Sequence, residues 1–149
     1  MWCSNILSKV LNSLIYIATK QQGMINKKII LASKSPRRQE LIKGLEVEYE
    51  VFTYEVDESF PENLKAEAIA TYLAEKKADA YPKPIKDNEV LLTADTIVWV
   101  NNHVLNKPAD AQEAFAMLRE ICGTKHEVFT GVCLKTKHSK ENIFDRALD

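Results

Sequence analysis

The chain has 149 residues, 46% of them hydrophobic and 28% charged, with a formal net charge of −1 at pH 7. That is one domain's worth of sequence, long enough to bury a core, in the balance of a soluble globular protein. Near-neutrality argues against bulk electrostatic attraction to nucleic acid or to a membrane. Cys3, Cys122 and Cys133 are an odd, widely spaced set without CxxC spacing, as expected of reduced thiols in a cytoplasmic protein. His103, His126 and His138 are equally scattered, which argues against a zinc site.

Charge is nevertheless segregated along the chain. Residues 27–43 carry six bases and one acid, and residues 46–62 carry seven acids and no base. Such a pairing suits a site that holds both an anion and a metal, and equally two solvated faces of opposite sign.

Residues 1–24 read as an appendage. Trp2, Ile6, Leu7, Val10, Leu11, Leu14 and Ile15 form a helical apolar stripe too broken to span a bilayer. Met24 reads as the natural start, with a weak targeting or interfacial helix as the other reading. Residues 29–32 then form a short apolar run expected as a buried strand. Ser35 suits a helix N-cap and Pro36 the first helical position, in a helix running to about Lys43. Two hydroxyls, exposed amides at a positive helix end, and Arg37 and Arg38 thus gather at a strand exit, a place for phosphate. An ordinary capped helix with a solvated basic face is the competing reading.

Residues 47–54 alternate as a strand. Residues 57–63 form an acidic loop, with Asn63 as the cap of a helix over 64–80. The apolar stripe of that helix is Ile69, Tyr72 and Leu73, then Lys76. A lysine on an inward stripe either meets an anion or snorkels past the core edge. Residues 90–94 read as a central strand with Asp95 and Thr96 at its C-terminal end, where carboxylates commonly face the ligand crevice of an α/β sheet. Residues 97–100 continue as strand, Asn101-Asn102 make a tight hairpin, and 103–105 return. A third helix follows Lys107-Pro108, capped by Asp110 with Glu113 completing a capping box. Its buried stripe is expected at Ala114, Met117, Leu118 and Ile121. Residues 126–136 form a further strand. From Lys137 the chain turns polar, and no closing helix or strand is expected. The element order places the chain in the α/β class.

Ser33, Arg37, Arg38, Glu58, Lys76, Asp95, Thr96 and Lys107 each fall at an element end or on an inward face. Four are cationic, enough to balance a nucleoside triphosphate. Glu58 and Asp95 are carboxylates able to hold a hard divalent cation. No glycine-rich Walker loop is present.

Six motifs carry a resemblance: Leu-Ala-Ser-Lys-Ser-Pro-Arg-Arg, Val-Asp-Glu-Ser, Leu-Ala-Glu-Lys-Lys-Ala, Ala-Asp-Thr-Ile-Val, Asn-Lys-Pro-Ala-Asp and His-Glu-Val-Phe-Thr-Gly-Val. In this order the chain, over about residues 28–136, resembles the Maf family of nucleotide pyrophosphatases. The resemblance implies a twisted mixed sheet flanked by helices, related in shape to the inosine-triphosphate pyrophosphatases. It implies hydrolysis of a nucleoside triphosphate to monophosphate and pyrophosphate, with magnesium or manganese. Arg37 and Thr96 match the dTTP/UTP branch of the family, where a sister branch carries Trp and Gln. Asp95 matches the proposed proton acceptor. On this reading Asp95 is catalytic, Ser33, Arg37, Arg38, Lys76, Thr96 and Lys107 bind substrate, and Glu58 with Asp95 holds the metal. The partner is a nucleoside triphosphate, with no nucleic acid or membrane, and a homodimer stays open. The domain is expected over 25–136, with 137–149 a divergent tail. Family members run on beyond this point, so the chain reads as C-terminally truncated. An inactive nucleotide-binding remnant and a cell-division regulatory protein are the alternatives.

Overall fold

The computed structural model describes residues 27–44, 48–105 and 109–148, with the backbone alone for Leu41 and residues 143–148. The expected appendage at 1–24 lies outside the described residues. The elements are β1 (Lys28–Leu31), α1 (Pro36–Lys43), β2 (Tyr49–Val51), α2 (Glu67–Asp79), β3 (Glu89–Val100), β4 (His103–Leu105), α3 (Ala111–Ile121), β5 (His126–Lys135) and β6 (Lys140–Leu148).

They build one mixed α/β sheet in the order β2-β1-β3-β5-β6, with β4 paired to β3. β1 runs parallel to both β2 and β3, while β5 is antiparallel to β3 and to β6. Both faces are covered, so the central strands are apolar on both sides rather than alternating. On one face Ile42 of α1 joins Leu31, Val90, Leu92, Val128 and Val132. On the other, Ala74 and Ala78 of α2 meet Ile30, Leu91 and Cys133, and Ile69, Ala70 and Leu73 meet Ile97 and Phe129.

Two contacts seat α2. Gly131 lies so close beneath it that an added Cβ would fall 2.5 Å from the carbonyl carbon of Ala70. The fully buried hydroxyl of Thr93 donates to the Ala74 carbonyl at 2.7 Å.

Several boundaries differ from the sequence expectations. β2 stops at Val51 because its one partner, β1, is four residues long; the Phe52 amide donates to Leu31 at 3.0 Å and the chain then leaves the sheet. α2 begins at Glu67, not at 64, and Asn63 does not cap it. The N-cap is Ala66, at φ 53° and without a side-chain cap. Asn101 and Asn102, at φ 49° and 66°, form the expected tight hairpin turn. Asp110 does cap α3, its Oδ1 accepting from the Glu113 amide at 2.8 Å, while Glu113 Oε2 accepts from the Ala109 amide. The stripe expected on α3 is not buried: the helix has no buried residue, and Leu118 and Phe115 are 65% and 61% exposed.

The largest correction is at the C-terminus. Residues 140–148, where no closing helix or strand is expected, form β6 along β5 from Glu127 to Lys135. Thr136 and Ser139 build the turn, the Thr136 amide donating to the Ser139 carbonyl at 2.8 Å and the Ser139 amide to Thr136 Oγ1 at 3.0 Å.

Candidate active site

β3 is a single twelve-residue strand, so Asp95 and Thr96 stand in its middle and not at a strand end. They nonetheless reach a sheet opening. On its β1 side β3 pairs through Leu92 with β1 and resumes at Val98 with β4. Residues 93–97 therefore face a notch. Strand side chains alternate between faces. Asp95 accordingly points with Leu91 and Ile97 to the α2 side, and Thr96 points to the α1 side.

Helices α1 and α2 each send one cation into the notch. From α1, Arg38 donates to Thr96 Oγ1 at 2.8 Å and to the Ala94 carbonyl at 3.4 Å. Thr96 Oγ1 also lies 3.0 Å from the hydroxyl of Thr130, which is buried on β5. From α2, the Lys77 ammonium donates to Asp95 Oδ1 at 2.9 Å and to the same Ala94 carbonyl at 3.4 Å. It lies 3.7 Å from Glu58 Oε1. Burial pushes the Arg38 pKa down, and the charge of Asp95 opposes that shift. The Tyr54 hydroxyl donates to the Lys77 carbonyl, and burial pushes its pKa up to about 12.

The loop leaving β1 completes the polar wall. Ser33 is buried; its Oγ accepts from the Ser35 amide at 3.2 Å, and its carbonyl accepts from Gln39 Nε2 at 2.9 Å. Ser35 caps α1, accepting from the Arg38 amide at 3.4 Å. The result is a cleft of about 600 Å³. Ser33, Arg38, Glu58, Lys77 and Asp95 line one part of it, and Phe60, Leu73, Ile97, Val104 and Leu105 line an apolar part.

Of the residues singled out in the sequence, Ser33, Arg38, Glu58, Asp95 and Thr96 come together here. Arg37 is exposed and is not part of the cleft wall. Lys107 lies outside the described residues. The inward lysine of α2 is Lys77 and not Lys76. Lys76 instead donates to the Ser59 carbonyl at 2.9 Å and to Ser59 Oγ at 3.2 Å, and Asp57 Oδ2 is 3.5 Å away. Sequence reasoning missed Lys77, Thr130 and the Ala94 carbonyl. Lys77 was within reach: Ala70, Ala74 and Ala78 are buried with Ile69 and Leu73, and this face passes through position 77.

The carboxylates fit a divalent cation of the magnesium type. Asp95 and Glu58 already converge on one cation, the Lys77 ammonium. Among the described residues no cluster of three or more His, Cys, Asp or Glu side chains is suited to a metal. Two carboxylates with the remaining positions left to substrate phosphate and water is how magnesium is usually held.

A family model for Maf-like proteins matches residues 28–147. The chain belongs to the Maf family. The match reaches past residue 136 and takes in β6 as far as residue 147. A dTTP/UTP pyrophosphatase of Flavobacterium psychrophilum is 49% identical over 120 residues, 80% of this Maf chain and 62% of that protein. One of Bacteroides thetaiotaomicron is 52% identical over 109 residues, 72% of this chain and 56% of its own length. The chain thus spans about three-fifths of the curated relatives it matches. Its fold is like that of a solved structure described as the Staphylococcus aureus Ham1 protein, at TM-score 0.53 and 16% identity, over 82% of this chain and 70% of that one. No helix among the described residues is long and apolar enough to cross a membrane.

Proposed function

We propose that this cleft hydrolyses dTTP and UTP to the nucleoside monophosphate and pyrophosphate, in the cytoplasm and with magnesium or manganese. The observation that carries the reading is the meeting of Arg38 and Lys77, from opposite faces of the sheet, at the Ala94 carbonyl beside Asp95. Two cations and one carboxylate at the polar end of a cleft suit a polyphosphate and the water that cleaves it. The choice of dTTP and UTP rests on the Maf relatives bearing that name at about half identity.

The triphosphate lies along Ser33, the amides that open α1, Arg38 and Lys77, where hydroxyl, helix end and cations all favour phosphate oxygen. Base and sugar take the apolar part against Phe60, Ile97 and Val104. Lys77 orients the Asp95 carboxylate, which accepts the proton of a water attacking the α-phosphorus. The bond from that phosphorus to the bridging oxygen breaks, and its electron pair leaves with pyrophosphate. Arg38 and Lys77 meet the charge as it moves onto the leaving group, where fixed cations are worth most. Glu58 and Asp95 would hold the divalent cation, which when bound neutralises phosphate charge and acidifies a water. Thr96, fixed by Arg38 and Thr130, is the residue we tie to branch preference.

The test is pyrophosphate release by the purified chain, with Mg²⁺ or Mn²⁺, from dTTP, UTP, CTP and 7-methyl-GTP. Release from dTTP and UTP that disappears in Asp95→Asn, with nucleotide binding retained, is the expected result. Full activity in Asp95→Asn refutes the role of Asp95. Nucleotide binding without release from any of the four refutes turnover by this chain.

A further inference from the structure

We propose that Lys76 is a positioning residue: it fixes the turn at Asp57–Ser59 and so presents the Glu58 carboxylate to the cleft. The proposal rests on Glu58 as a metal-holding residue, the reading given above. Residues 52–66 join β2 to α2 without a regular element, and Asp57, Glu58 and Ser59 are exposed. The placement of Glu58 therefore depends on what holds its neighbours. Phe60 packs against the Ile69–Leu73 cluster, and the Tyr54 hydroxyl is tied to the Lys77 carbonyl. Between those anchors the turn is closed on itself: Asp57 Oδ1 accepts from the Ser59 amide at 3.1 Å, and Oδ2 from the Ser59 hydroxyl at 2.7 Å. Lys76 ties that closed turn to α2 through the Ser59 carbonyl, the Ser59 hydroxyl and Asp57.

Geometry explains why two consecutive lysines are needed. Adjacent helix positions point about 100° apart, so Lys76 and Lys77 approach the turn along different directions. Lys76 takes Asp57 and Ser59; Lys77 faces Glu58, between them in sequence, and carries the contact on to Asp95. Lys76 is not among the residues that line the cleft.

Groups behind a metal ligand typically change metal affinity by about 10–100-fold when removed. Lys76 is partly exposed, its side chain at 27%, which places the expectation near the lower bound. Mn²⁺ binding to the purified chain, followed by the electron paramagnetic resonance of free Mn²⁺, should weaken about tenfold in Lys76→Met. Lys76→Arg should recover most of it. In turnover, Lys76→Met should raise the Mn²⁺ needed for half-maximal rate while the KM for dTTP at saturating Mn²⁺ stays within about twofold. Glu58→Gln, measured beside it, separates the two ideas. If Glu58→Gln leaves Mn²⁺ binding unchanged, the metal reading of Glu58 falls and takes this proposal with it. If Glu58→Gln weakens binding and Lys76→Met does not, the proposal alone is overturned. A rise in the KM for dTTP with Mn²⁺ dependence intact also overturns it, because Lys76 would then be acting on substrate.

Discussion

Replacing Gly131 by alanine tests how tightly the site depends on the seat of α2. The new Cβ would stand 2.5 Å from the carbonyl carbon and oxygen of Ala70 and 2.7 Å from the Thr71 amide nitrogen. All three are backbone atoms within a helix, so no side chain can swing aside. Ordinary carbon contacts begin near 3.5 Å, and α2 must therefore withdraw by about 1 Å. Overpacking of this kind destabilises by about 1–3 kcal/mol, and a clash with backbone belongs in the upper half of that range. For a chain of this length, melting should fall by roughly 5–10 °C in differential scanning fluorimetry. The same withdrawal pulls on the Thr93–Ala74 hydrogen bond and on Lys77, whose ammonium is 2.9 Å from Asp95. A misplacement of about 1 Å can lower turnover on the order of 100-fold, so pyrophosphate release should fall far more than the folded fraction does. A variant with unchanged melting and unchanged turnover would refute both the close approach of α2 to β5 and its bearing on Lys77.

Lys77→Met removes the cation between Asp95 and Glu58 and should lower dTTP turnover by about 100-fold or more, against near-normal turnover in Lys65→Met on the exposed chain before α2; equal rates in the two would sink the assignment. Thr93→Val leaves the Ala74 carbonyl without its buried donor and should reduce unfolding stability by about 1–2 kcal/mol in urea titration. The raised Tyr54 pKa makes alkaline stability predictable. The stability that the buried Tyr54 hydroxyl contributes is fully present below the ordinary tyrosine value near 10 and is lost as pH rises towards about 12, because the unfolded chain ionises first. An absorbance titration at 295 nm should show a late step near pH 12 that is missing in Tyr54→Phe.

The sequence carried the elements better than their phases. Alternation and turn residues found every strand through β5, and the Ser35-Pro36 start of α1 stands as read. Where reading failed, the missing information was tertiary. Asp95-Thr96 looks like the end of a strand because two polar residues follow five of largely apolar character; β5 pairs continuously from Leu91 to Val100 and holds the strand straight through them. On α2, weighting large apolar residues drew the stripe through Tyr72 and Lys76. The buried face keeps Ile69 and Leu73 but adds Ala70, Ala74 and Ala78, whose small side chains let the helix come close to the sheet, and Lys77 lies along it. β6 has no strict alternation and its turn has neither glycine nor proline; it exists because β5 offers a ten-residue hydrogen-bonding edge. On α3 the period correctly marks an amphipathic helix, but a period says which face is apolar and not what covers it. Leu118 and Phe115 remain exposed, with the Arg119 guanidinium 5.1 Å from the Phe115 ring.

The notch beside β3 explains why consecutive residues can serve one ligand. Within a continuous sheet Asp95 and Thr96 would be separated by the sheet itself, each confined to its own helix layer. Ending β1 early removes that barrier. The Ala32 amide makes the last bond to β3, donating to Leu92 at 3.0 Å, and the chain turns at Ser33 to enter α1 at Pro36. The ladder ends at Ala32, four residues before Pro36, and the Ser33 carbonyl then accepts from Gln39 Nε2 of α1 instead of a strand amide. Beyond that point the Ala94 carbonyl has no strand to bond, and a buried carbonyl must find a donor elsewhere. Arg38 and Lys77 fill that need from opposite layers, which is what brings two cations to one backbone oxygen. The backbone's own hydrogen-bonding requirement thus positions the charges. A longer β1 would satisfy the carbonyl with an amide, close the notch and leave Arg38 and Lys77 on opposite sides of an unbroken sheet.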